Sequence, residues 1–140
     1  MKGAGKDTVK TLGKIMHSVF IEDEYKNSIE TVFIEGHTDY VRPGPNCPYP
    51  TNWELSTQRA INTWNVMNKG EPRLSTLTNT NKAKIFSVSG YGKTRPLTKD
   101  YRKKSMNRRI DIRIAMTPPS LNNRPKLIKG LEKSTSNKGN

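Results

Sequence analysis

The chain has 140 residues, enough for one domain with a single core. Lys and Arg number 25 against 12 Asp and Glu, a formal charge of +13, and only 31% of the residues are hydrophobic. No apolar run approaches the roughly 20 residues that span a bilayer, and a single cysteine, Cys47, excludes an intrachain disulfide and a cysteine-built zinc site.

Val9, Leu12, Ile15, Met16 and Val19 recur at helical spacing and predict a helix over about 6–20. Thr31-Val-Phe-Ile-Glu35 is β-branched and aromatic, which predicts a strand, and Gly36 is read as its end. Residues 40–51 carry four prolines and a glycine, so they form a loop. Thr51 followed three residues later by Glu54 predicts a capping box, with a helix running to about Asn68 before Gly70 and Pro72. Leu74 and Leu77 mark a short helical turn. Ile85–Ser89 reads as a second strand, and Gly36, Gly90 and Gly92 read as turn glycines. A polar basic loop follows.

The alternation of Ile110, Ile112 and Ile114 with Arg109, Asp111 and Arg113 is the clearest strand signal. One face of that strand is apolar and the other charged, so the sheet is expected to be covered on one side only. The fold class is therefore α+β, with helices on one face of a small mixed sheet. Residues 117–140 hold three prolines among many Lys and Asn. They read as a basic tail, disordered or loosely docked, outside the packed domain.

The basic residues concentrate from Lys93 to Arg109, where eight Lys and Arg face one Asp. Such a cluster favours anionic partners, and a basic nucleic-acid-binding domain is the alternative reading. The cluster carries no recognition motif and no interleaved aromatics to stack bases, so no nucleic-acid partner is expected. No nucleophile sits beside an oriented base, and two His with one Cys lack metal-ligand spacing. No catalytic residue, metal or cofactor is expected.

Three segments carry chemistry together: Ile34-Glu-Gly-His-Thr-Asp39, Asn52-Trp-Glu-Leu-Ser-Thr-Gln-Arg-Ala60, and Gly90-Tyr-Gly92 followed by Asn107-Arg-Arg-Ile110. In this order they resemble the C-terminal domain family of outer membrane protein A. The same domain occurs in peptidoglycan-associated lipoproteins and in stator proteins. The resemblance covers about residues 5–116, and Asn52-Trp-Glu-Leu-Ser56 looks closest to the stator branch, flagellar or phage-defence. It implies an OmpA-like βαβαβ-type two-layer sandwich. Because the family domain begins with a strand before its first helix, the chain reads as a fragment that lacks this strand, a linker and, in the stator branch, a membrane-spanning helix.

The resemblance further implies a non-enzymatic peptidoglycan-binding module that anchors a membrane or motor complex to the cell wall. Its ligand is the diaminopimelate part of the stem peptide. The implied setting is periplasmic, with an inner-membrane anchor, a stator-type partner subunit and a homodimer. Carried onto this sequence, the family site falls on Asp39 and Arg59, with Thr38, Asn52 and Leu55 beside them and Arg108 as a second cation. The physical logic is that of a zwitterion: Asp39 accepts from an ammonium, and the planar guanidinium of Arg59 clamps a carboxylate with two parallel hydrogen bonds. Without a ligand, Asp39 could instead cap a turn, or pair with Arg59 as a surface bridge.

Overall fold

Gly36 lies inside a strand, and its missing side chain decides how helix and sheet meet. The computed structural model describes residues 2–118, so the tail expected from 117 onward lies almost wholly outside the described residues. Helix α1 spans Gly3–Phe20, strand β1 Ile29–His37 and helix α2 Asn52–Gly70. A 3-10 turn covers Pro72–Thr76, strand β2 covers Phe86–Gly90, a second 3-10 segment covers Tyr101–Asn107, and strand β3 covers Arg109–Met116. The fold is α+β, as the sequence predicts.

The sheet order is β2-β1-β3. The β1–β2 pair is parallel and the β1–β3 pair antiparallel, so the sheet is mixed and open. The parallel pair is joined through α2, the usual consequence of a helical crossover. β3 passes β2 and pairs on the far side of β1, from His37↔Arg109 down to Ile29↔Met116. β1 is therefore the central strand, and both its edges are satisfied.

From Val32 onward the even-numbered residues of β1 face the helices, and Ile29, before the irregularity at the start of the strand, also joins the core. Val32 and Ile34 are fully buried with Met16, Phe20, Ala60, Met67, Leu74 and Ile85. The opposite face carries charge, as the alternation in β3 predicts.

The strand does not stop at Gly36. A Cβ there would lie 2.0 Å from the Ser56 carbonyl oxygen, and one on Gly90 would lie 2.3 Å from Thr57 Oγ1. These two glycines let α2 sit directly on the sheet; only Gly92, at φ +55°, is a left-handed turn glycine. Helix α1 also differs in detail from its periodicity. Its buried face is Gly13, Met16, His17 and Phe20, while Leu12, Ile15 and Val19 stay exposed. Gly13 sets that rotation, since a Cβ there would meet Met67 Cγ at 2.8 Å. The Tyr101–Asn107 turn falls where the sequence predicts plain loop. Its start is fixed by Asp100, whose side chain accepts from the Arg102 amide.

Candidate functional site

The α2 N-terminus is built as the sequence predicts. Thr51 accepts from the Trp53 amide, Glu54 accepts from the Thr51 amide, and the box is complete. With the start capped and the first turns seated on Gly36 and Gly90, side chains along α2 have fixed directions. Arg59 is on the second turn. It lines a cleft of about 360 Å³ together with Asn62, Thr63, Arg108, Arg109 and Ile110. Among the described residues its guanidinium has no hydrogen-bond or ion-pair partner.

Asp39 follows the end of β1 and is buried. Its Oδ2 accepts from Arg108 Nη1 at 2.7 Å, and its Oδ1 from the Val41 amide at 3.0 Å. The partner of Asp39 is thus Arg108 and not Arg59, so the simple surface bridge between Asp39 and Arg59 is absent among the described residues. Asn52 holds the loop next to it, its Nδ2 donating to the carbonyls of Asp39 and Val41 at 3.4 and 3.2 Å. The structure therefore gathers Arg59 and Arg108 on one cleft, with Asp39 and Asn52 behind Arg108. Thr38 is buried and lines a neighbouring hollow with Tyr40, Lys93, Pro96, Thr98, Lys99 and Asn107. Leu55 is half-buried on α2 and lines neither space.

Sequence reasoning missed Asn62, Thr63 and Arg109 in the cleft. The first two stand three and four residues after Arg59, so helical spacing alone puts them on its face. In the sequence Arg109 stands out only as part of the charged side of β3. Asn107 serves the structure, since its Oδ1 accepts from the Leu97 and Thr98 amides and its Nδ2 donates to the Thr98 carbonyl. It thereby pins the basic loop to the entry of β3 and delivers Arg108 to the cleft. Buried Ser56 carries no such signal in the sequence; it accepts from the Gly92 amide at 2.9 Å and locks the β2 exit to α2.

Behind the site, the open sheet face holds a polar network. Burial pushes the Glu35 carboxyl up, but hydrogen bonds from Arg113 at 2.7 and 3.0 Å and from the Tyr91 hydroxyl at 3.1 Å outweigh it. Glu35 thus stays below the usual carboxylate range. His37 stacks on Tyr91 at 5.2 Å. Burial, then the charge of Arg109, lowers the His37 pKa against the pull of Asp111, so the ring is neutral near pH 7. Its Nε2 lies 3.2 Å from Asp111 Oδ2, yet neither ring nitrogen makes a hydrogen bond.

Among the described residues no group of three or more His, Cys, Asp or Glu could hold a metal ion, and no helix is long and apolar enough to cross a membrane. Residues 6–109 match the OmpA family. The chain belongs to that family. It is 31% identical over 117 residues to motility protein B of Bacillus subtilis, covering 79% of this chain and 40% of that protein. The chain thus spans well under half the length of this curated relative. The fold is similar to the crystallised periplasmic domain of Helicobacter pylori MotB (residues 78–256), with TM-score 0.63 and 19% identity over 96% of this chain and 74% of that one. It is also similar to the cell wall anchor of the T6SS from Pseudomonas aeruginosa, with TM-score 0.58 and 20% identity over 84% of this chain and 70% of that one.

Proposed function

We propose that this domain binds peptidoglycan non-covalently, through the diaminopimelate-containing stem peptide, and so ties a membrane-anchored, stator-type complex to the cell wall. The observation that carries the reading is the guanidinium of Arg59, which has no partner among the described residues and is held on a capped and tightly seated helix over a cleft shared with Arg108. A carboxylate fits that fork, and Asp39 stands behind Arg108 to receive the accompanying ammonium. Asn52 acts by positioning the Asp39 loop, Thr38 lines the neighbouring hollow, and Leu55 lines neither space. The likeness to motility protein B and to a cell wall anchor agrees with this assignment. No side chain in the cleft forms a nucleophile–base pair, and the proposed activity is binding without chemistry. The setting is periplasmic, the anchor belongs to the inner membrane, and the working form is a homodimer beside a membrane-embedded partner.

The test is co-sedimentation of the purified domain with diaminopimelate-type peptidoglycan. Asp39→Ala and Arg59→Ala are each expected to weaken binding about tenfold or more, since a lost charged hydrogen-bond partner costs about 1.5–3 kcal/mol. Circular dichroism should show both variants folded. Wild-type affinity in the double variant would overturn the site.

A further inference from the structure

Resting on that reading, the charge balance of the cleft specifies which form of the peptide it takes. Arg109 is largely committed: its Nε faces both oxygens of Asp111 at 3.1 Å and its Nη2 donates to the Arg95 carbonyl at 3.0 Å. Its Nη1 is buried without an acceptor. Among the described residues Arg108 is balanced only by Asp39. Arg59 is balanced by nothing among the described residues. The remaining polar groups on the cleft offer little acceptance: Asn62 Oδ1 already takes the Gln58 amide at 2.9 Å, and the Thr63 hydroxyl donates to the Arg59 carbonyl. The lining is rich in donors and poor in acceptors, so the ligand must bring the acceptors.

Asp39, Arg59 and Arg108 together carry a net charge of +1. An ammonium that approaches Asp39 takes up the charge that balances Arg108, and Arg108 then needs an anion of its own. The complement is a group with one ammonium and two carboxylates, net −1. We infer that the cleft selects stem peptides ending at diaminopimelate with both carboxyls of that residue free, and that Arg108 is the specificity-determining residue for the second carboxylate. In a tripeptide, diaminopimelate carries one free ammonium and two free carboxylates. Amidation of the side-chain carboxyl removes one of the two anions, and extension by alanine turns the other into an amide and carries the terminal carboxylate one residue further along the chain. In either case one guanidinium loses the carboxylate that the free tripeptide places beside it in a partly enclosed space, which disfavours the blocked peptides.

The experiment is a calorimetric titration of the 140-residue chain with three soluble peptides. They are the tripeptide with both carboxyls free, its side-chain amide, and the tetrapeptide extended by alanine. Wild type should bind the free tripeptide about tenfold or more tighter than either blocked form, and Arg108→Gln should lose that preference. Binding of all three within about twofold overturns the selectivity and leaves the peptide-binding reading intact. A preference retained in Arg108→Gln overturns the role given to Arg108. No binding of any peptide by wild type overturns the functional reading itself.

Discussion

The two sides of α2 are built to opposite standards. On one side Ser56, Thr57 and Ala60 press on Gly36 and Gly90 with no room for a methyl group. On the other, Arg59 looks into an open cleft and makes no side-chain bond among the described residues. The tight side makes the loose side useful. A long cationic side chain recognises a planar carboxylate only if its base is fixed, and the glycine seam fixes it. The seam also fixes the end of β1, and with it Asp39.

The largest expected effect comes from breaking the seam. Gly36→Ala places a Cβ 2.0 Å from the Ser56 carbonyl, a backbone atom that cannot swing aside. Overpacking costs about 1–3 kcal/mol and occasionally more, and this case belongs at the upper end. Thermal unfolding should show a drop of roughly 4 °C per kcal/mol for a domain of this size. Gly44→Ala, which meets nothing within 4 Å, is the control and should unfold with wild type. Equal melting temperatures for the two variants would show that helix and sheet have slack between them.

The second effect is on the open side. Arg59→Lys should weaken a soluble wall peptide nearly as much as Arg59→Ala, about tenfold, while stability is unchanged. The ammonium keeps the charge and loses the two-pronged grip. Lysine matching arginine at both low and moderate salt would mean that the grip is irrelevant. Binding would then be the attraction of a basic surface for an anionic polymer, which salt screens.

What the sequence makes legible follows the same division. Local signals are easy to read because their cause lies within a few residues. The Thr51–Glu54 box, the Ile110–Ile114 alternation and the strand at Thr31–Glu35 all appear where expected. Gly36 looks like a strand end in the sequence because its reason lies in Ser56, twenty residues away in the chain and adjacent in space. The same limit hides Ser56, and it conceals that β3 passes β2 to pair with β1. At the site, the resemblance points to Asp39 and Arg59, yet the Asp39–Arg108 pair joins residues that no local pattern connects.

A smaller effect separates the cap from the seam. Thr51→Ala should cost about 1 kcal/mol, because it removes one acceptor from the exposed start of α2. Peptide affinity should nevertheless stay within about twofold of wild type, since Gly36 and Gly90 continue to seat the helix around Arg59. A tenfold loss of affinity would instead mean that the cap, and not the seam, aims the guanidinium.

The smallest effect lies in pH. His37 is the last residue of β1, two positions before Asp39, and it is buried and neutral. Its folded pKa lies below its unfolded value, first because burial disfavours the charged ring and then because Arg109 repels it. The unfolded chain therefore binds the extra proton first, and stability falls as pH drops through the unfolded value near 6.5 toward the folded one. Glu35 adds a loss of the same sign at lower pH: its folded pKa is depressed, so its contribution is present above the unfolded value near 4.5 and disappears below the folded one. The two windows separate the two groups. Melting temperature followed from pH 7.5 to 5 should decline in wild type, and His37→Gln should flatten that decline while leaving the steeper one below pH 4.5. Arg113→Ala should do the reverse. It strips Glu35 of its guanidinium partner, lowers stability at neutral pH, and shrinks the loss in the carboxylate range. An unchanged slope between pH 7.5 and 5 in His37→Gln would show that the ring beneath Tyr91 tolerates its proton. The Asp111 carboxylate 3.2 Å away would then outweigh both burial and Arg109.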